Sequence, residues 1–247
     1  MTRITLTRRL VAATLLAAFP FATATAIATP APAASPISQA SSVRLSNLKS
    51  KGSTEIDRRL LNLTAAGAKL ESAGKLSATD KAALLKQLSD ESTSLTALKT
   101  KLAAETTLPE ARADVQSIVA DYRVYALMLP KARLVATADR LIQADDKLSA
   151  LSIQLAEKVA AAKAAGKDVG AVESKVSSLK LRLSSVKPKL DPLPAELLAL
   201  TPKDYNADHS VLVSYRTKLA SSATELKAAR EEAKAIVALL AGLSTTN

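Results

Sequence analysis

The sequence has no cysteine and no tryptophan, one histidine, two phenylalanines and four tyrosines among 247 residues. Without cysteine there is no disulfide, no thiolate zinc site, no thiol nucleophile and no cysteine to carry an N-terminal lipid. A lone histidine, His209, is too little for a His-based metal centre. Both phenylalanines, Phe19 and Phe21, lie near the N-terminus, so a core further along must be built from Ala, Leu and Val. Six glycines are too few for a fold rich in tight turns. Long apolar runs are missing as well: Leu10 to Ala22 falls short of the roughly 20 residues that a membrane-crossing helix needs.

What is present favours helix. Residues are 48% hydrophobic, mostly Ala and Leu, and the charged set of Lys, Arg and Glu consists of good helix formers. The formal charge is +11. A basic excess of that size suits anionic partners such as lipid head groups, acidic envelope polymers or nucleic acid.

Residues 1–34 have the three-part form of a secretory signal peptide. Arg3, Arg8 and Arg9 form the positive start, Leu10–Ala22 the apolar centre, and Ala24-Thr25-Ala26, Ala26-Ile27-Ala28 and Ala31-Pro32-Ala33 offer small-x-small cleavage sites. Thr7-Arg8-Arg9-Leu10-Val11 also resembles a twin-arginine export signal. Paired arginines occur in ordinary leaders too, and both routes stay open. Removing the three leader arginines leaves 31 basic against 23 acidic residues. No second hydrophobic segment follows, so no transmembrane anchor is expected.

Beyond a Thr, Pro, Ala and Ser lead-in at 29–41, apolar residues recur in steps of three and four, the helical period. The first helix carries Leu45, Leu48, Gly52, Ile56, Leu60, Leu63, Gly67 and Leu70 on one stripe. Gly52 and Gly67 each cost about 1 kcal/mol of helix propensity. They mark either a close helix crossing or a plain weak point. Ser77-Ala78-Thr79-Asp80 resembles a capping box and opens a second helix with Leu84, Leu88, Glu91, Leu95, Leu98 and Leu102. Thr107-Leu108-Pro109-Glu110 starts a third, with Val115, Ile118, Tyr122, Tyr125 and Leu129 on its stripe and a break expected at Pro130. A long fourth helix reaches about Ala165, with Leu134, Ala138, Leu141, Asp145, Leu148, Ser152, Leu155, Val159 and Ala162 in line. After a turn at Gly166–Gly170, a fifth helix presents the heptad seam Val172, Val176, Leu179, Leu183 and Val186. Residues 188–206, with four prolines, are expected to be irregular around a short helix at Pro194–Leu200. The last helix is expected from about Asp208 to Leu240. Together these predict an all-α, elongated antiparallel bundle of five to six helices with coiled-coil-like seams, one domain over 35–247.

Two segments carry a resemblance. Asp114-Val115-Gln116-Ser117-Ile118-Val119 through Tyr122-Arg123-Val124-Tyr125-Ala126-Leu127 to Leu129-Pro130-Lys131 is the first. Leu200-Thr201-Pro202-Lys203-Asp204-Tyr205-Asn206, then Ser210-Val211-Leu212, is the second. Both resemble uncharacterised exported all-helical proteins of bacteria. The resemblance implies export and an all-α fold, with no activity and no functional residues to transfer.

No catalytic or cofactor motif stands out: there is no Gly-rich phosphate loop, no Gly-x-Ser-x-Gly elbow and no Glu-x-x-His pair. Glu91 and Asp145 sit on apolar seams, where a carboxylate is costly unless paired. Facing one interior they would form a metal or acid–base pair; otherwise they lie at the seam's edge, or pair with Arg58, Arg59, Arg133 or Arg140. His209, beside Asp204, Tyr205, Asn206 and Asp208, reads as a ligand or base, or as the exposed first turn of a capped helix. Tyr122 and Tyr125 with Arg123 and Arg133 read as a ligand site, or as core tyrosines with hydroxyls at the rim. The strongest basic patch is 171–190, where Lys175, Lys180, Arg182, Lys187 and Lys189 face only Glu173 in the local sequence. It lacks the aromatics that stack on bases, so sequence-specific nucleic-acid binding is not expected.

The functional expectation is an exported, non-enzymatic helical protein of the cell envelope or exterior, structural or interacting, without metal or cofactor. Its partner is a protein or an anionic envelope polymer. The second expectation is salt-sensitive binding of anionic polymers or lipid head groups through 171–190.

Overall fold

The computed structural model describes residues 36–245. The leader expected at 1–34 lies outside them. Eight α-helices follow in order: α1 (Pro36–Glu71), α2 (Ala78–Ala104), α3 (Leu108–Ala120), α4 (Leu129–Ala164), α5 (Gly170–Leu190), α6 (Leu193–Ala199), α7 (Pro202–Ala207) and α8 (Val211–Thr245). No strand occurs among the described residues, and six of the helices are 13 residues or longer. The fold is an all-α helical bundle.

The helix starts follow the side chains available to the first orphan N–H groups. Ser77 Oγ accepts from Asp80 N at 3.0 Å, and Thr107 Oγ1 from Glu110 N, at the heads of α2 and α3. Gly166, at φ 77°, turns the chain after α4 in the left-handed conformation that glycine adopts without a Cβ clash.

Cross-helix pairs fix the directions. Lys99 reaches Asp57 at 2.5 Å and Lys81 Nζ donates to Glu71 O at 3.0 Å, so α1 and α2 are antiparallel. Lys163 meets Glu173 at 2.9 Å and Lys187 meets Asp146 at 3.0 Å, so α4 and α5 are antiparallel. Arg182–Glu232 at 3.5 Å and Lys189–Glu225 at 3.0 Å set α8 antiparallel to α5. It follows that α8 runs parallel to α4.

Two cores result, each built chiefly on three helices. The first gathers Ile56 and Leu63 of α1, Leu84, Leu95 and Leu102 of α2, and Ile118 of α3. The second gathers Leu155 and Val159 of α4, the whole α5 seam from Val172 to Leu190, and Leu219, Leu226 and Ile236 of α8. Both meet on α4: Ala132 and Val135 belong to the first core, Ala138 belongs to the second, and Leu134 packs against both. This helix of 36 residues is about 54 Å long at about 1.5 Å per residue. It also holds the α1–α2 turn, since Asp139 Oδ2 accepts from Ser77 N at 2.6 Å and Gln143 Nε2 donates to Lys75 O at 2.8 Å.

Four boundaries differ from expectation. The first helix begins at Pro36, inside the lead-in expected over 29–41. The third helix stops at Ala120 rather than at Pro130, because Arg123 takes a left-handed conformation at φ 45°. A π-helical turn over Val124–Met128, with Met128 N on Arg123 O at 3.2 Å, then leads into α4. Pro130 thus sits in the first turn of α4, where its missing N–H costs least. The stretch 188–206 is mostly helical: α5 continues through Pro188 to a buried Leu190, and α6 and α7 follow. Thr201 starts α7 with a capping box on Asp204. The last helix begins at Val211, not Asp208, because Asp208 Oδ1 accepts from Ser210 N and Oγ and holds a turn there.

Candidate functional site

The five cations expected to form a polyanion surface on α5 do not act as one patch. Arg182, Lys187 and Lys189 are paired with Glu232, Asp146 and Glu225 from neighbouring helices, and Lys187 also lies 3.5 Å from Asp191. Lys175 and Lys180 are exposed and make no ion pair among the described residues. The sequence of 171–190 shows one acid; the fold brings three more from other helices, and Asp191 follows just beyond the segment.

The same pairs divide the charge of α8. Its Glu225 and Glu232 turn towards α5, while Lys227, Arg230 and Lys234 turn towards α4. A groove of about 780 Å³ lies between α4 and α8, floored by Leu148, Leu151, Leu226 and Ala233 and bordered by Lys147, Lys227, Arg230 and Lys234. A second hollow of about 520 Å³ continues it from Val237 to Leu243, with Lys158 and Lys167 at its edge. Lys147, Lys158, Lys227 and Arg230 are exposed and make no ion pair among the described residues. Glu231 is the single acid lining either hollow. Its hydrogen bond from Lys234, with Arg230 and Lys227 close by, holds its carboxyl below the usual range. Val237 at the join of the two hollows is 49% exposed, although it lies on the helix face turned to α4. The groove therefore combines an apolar floor with rims whose cations outnumber their single acid, the pairing of features that recognises an anionic amphiphile.

A polar cleft of about 470 Å³ lies where the two bundles meet, lined by Gln87, Glu91, Tyr122, Lys131 and residues 198–202. Its amide and amine serve the backbone. Gln87 Nε2 donates to Leu198 O and Lys131 Nζ to Leu200 O, both at 3.0 Å, which satisfies carbonyls orphaned at the end of α6. Lys131 is 4% exposed, and burial holds its amine down to about 8, with Glu91 opposing the fall. Burial likewise pushes the Glu91 carboxyl up to about 7, with Lys131 pulling the other way. Glu91 Oε1 has no hydrogen-bond partner among the described residues.

Glu91 and Asp145 are not brought together. Glu91 faces Lys131 in the cleft rather than any of the four arginines considered. Asp145 is buried on α4, with neither carboxylate oxygen hydrogen-bonded among the described residues and its pKa raised by desolvation. No cluster of three or more His, Asp or Glu that could hold a metal ion occurs among the described residues.

The tyrosines also separate. Tyr122 is half-buried and its hydroxyl donates to Ser94 O at 3.1 Å. Tyr125 is 39% exposed, so it is not a core residue; the Arg58 and Arg59 guanidinium groups stack on its ring at 5.7 and 5.1 Å. Arg123 instead stacks on Tyr205 at 5.5 Å and donates to Asn206 Oδ1 at 2.6 Å. Asn206 Nδ2 closes the contact on Ala120 O at 2.8 Å. Together with Lys131 on Leu200 O, these bonds join the segments 114–131 and 200–212. They fix the α3–α4 break against α6 and α7. His209 is exposed in the turn before α8, edge-on to Tyr205 at 5.0 Å.

None of the described helices is long and apolar enough to cross a membrane. No family model matches the chain, and no curated protein or solved structure is similar to it.

Proposed function

We propose that this chain is an exported, non-enzymatic helical protein of the cell envelope or exterior that works by holding an anionic partner in the α4–α8 groove. The observation that carries the proposal is the groove itself, an apolar floor under rims where Lys147, Lys158, Lys227 and Arg230 make no ion pair among the described residues and Glu231 is the one lining acid. Export is supported by the signal-peptide pattern of 1–34 and by the resemblance of two segments to exported helical proteins. The polar cleft supports stability more than chemistry, because Gln87 and Lys131 are spent on backbone carbonyls. A second reading, binding of anionic polymers through 171–190, keeps the support of Lys175 and Lys180 alone.

The test is made in the producing bacterium. A photo-crosslinking residue is placed at Ala223 in the groove or at Ser177 on α5, and intact mass is read on the recovered protein. The expected result is a chain outside the cytoplasmic membrane lacking residues 1 to about 34, with adducts from position 223 and none from 177. Unprocessed protein in the cytoplasm, or adducts from 177 alone, would contradict the proposal.

A further inference from the structure

We infer that the occupant of the α4–α8 groove is an acidic amphipathic helix of another protein, docked along both helices. This rests on the reading of the groove as a site for an anionic partner and names the partner's class. The two hollows run from Ala144 of α4 to Ala165 just past its end, and from Ala223 to Leu243 on α8. At about 1.5 Å per residue that is a trough of about 30 Å between two parallel helices, the length of a helix of about 20 residues. Its walls are rich in alanine, with Ala144, Ala161, Ala162, Ala223, Ala233 and Ala241 all on the lining. Small side chains leave room for a third helix to approach at the usual separation of about 8–10 Å. A partner helix would set an apolar stripe on Leu148, Leu151, Leu226 and Val237, in the manner of other groove-bound helices.

Charge selects among the possible occupants. The rim cations stand on both walls, Lys147 and Lys158 on α4 and Lys227, Arg230 and Lys234 on α8, and Glu231 is already bonded to Lys234. Acidic residues flanking the partner's apolar stripe would meet a cation on either side. The chain's own leader, with Arg3, Arg8 and Arg9 and no acid, has the wrong sign. A second copy would bring its own basic rims against these and be repelled. A lipid surface is flat and would meet the rims while leaving the floor uncovered.

The probe is a synthetic peptide of about 20 residues with leucines at three-and-four spacing, flanked by glutamates. It is titrated against the whole chain by fluorescence anisotropy. Three comparisons run beside it: a scrambled peptide of the same composition, the same stripe flanked by lysines, and phosphatidylglycerol vesicles. The acidic helix is expected to bind, with affinity falling as salt rises. The scrambled peptide should bind at least tenfold more weakly and the lysine peptide not at all. The triple variant Lys147→Glu, Lys227→Glu, Arg230→Glu should lose at least tenfold, whereas Lys175→Glu with Lys180→Glu should lose less than twofold. All these positions are exposed, and circular dichroism confirms that the variants stay helical. Equal binding of the ordered and scrambled peptides would overturn the inference. So would vesicle binding, sensitive to the triple variant, without peptide binding; that result leaves the groove an anion site and the proposed function intact. If peptide and vesicles both ignore the triple variant, the inference and the proposed function fail together.

Discussion

Two glycines on the same stripe of α1 should respond to alanine with opposite signs. Gly52 lies where α1 crosses α2 and α3. A Cβ there would come within 2.6 Å of Leu102 Cδ2 and 2.8 Å of Val115 Cγ2, well inside contact distance. Leu102 is 1% exposed, so it has no free space into which to withdraw. Overpacking of this kind costs about 1–3 kcal/mol. Alanine returns about 1 kcal/mol of helix propensity, so Gly52→Ala should destabilise by up to about 2 kcal/mol. At Gly67 the nearest atom is Leu85 Cδ2 at 3.9 Å, an ordinary contact. Gly67→Ala therefore keeps nearly all of its gain and should stabilise by up to about 1 kcal/mol. Urea unfolding followed by far-ultraviolet circular dichroism reads both as shifts in midpoint at constant slope. If Gly52→Ala stabilised as much as Gly67→Ala, the three helices would not meet as closely as described.

The buried carboxylates give two further expectations. Glu91, raised to about 7 when folded, stabilises fully below its ordinary 4.5 and progressively less as pH rises to about 7, while Lys131, lowered to about 8, restores stability as pH climbs from about 8 to its ordinary 10.5. At about 1.4 kcal/mol per pH unit each limb is worth at most about 3.4 kcal/mol, and solvent screening of the part-exposed Glu91 reduces its share to about 1–2 kcal/mol. Thermal melts from pH 4 to 10 should show a shallow minimum near pH 7–8, and Glu91→Gln should flatten the acid limb; an unchanged slope in that variant would assign the limb to other groups. Asp145→Asn removes a desolvated charge at nearly constant volume. It should raise the melting temperature at pH 7 and lose that advantage as pH falls below the ordinary aspartate range, whereas a gain independent of pH would mean that the charge is not the cause.

The helical stripes were legible because three-and-four spacing marks the buried side of a helix directly. Leu84, Leu88, Leu95, Leu98 and Leu102 of α2 and the α5 seam from Val172 to Val186 are all buried where the spacing puts them. Spacing does not say which stripes share a core, so the division into two cores along α4 was not readable. Pro130 signalled a break but not its position. The chain accommodates the proline in the first turn of α4 and interrupts its helix at Arg123, seven residues earlier, while keeping its direction along α2. The site was the least legible part. The charge run 171–190 looked uncompensated because Asp146, Glu225 and Glu232 lie far away in sequence and arrive only on folding. By the same logic the basic α4–α8 rims were hidden, since α8 reads as an even mixture of Glu, Lys and Arg until its acids turn to α5. Knowing that α4 and α8 run side by side and parallel would have exposed the groove.

The central claim is that the groove, and not α5, is the anion-binding surface. Salt titration of polyphosphate binding by two neutralised variants tests it most directly. One replaces Lys147, Lys158, Lys227 and Arg230 with Gln, and the other replaces Lys175, Lys180, Arg182, Lys187 and Lys189. Each unpaired rim cation that releases a counter-ion steepens the salt dependence, so the groove variant should bind weakly with a shallow slope, and the α5 variant should keep most of the parent's affinity and slope. Loss of binding in the α5 variant with retention in the groove variant would contradict the account.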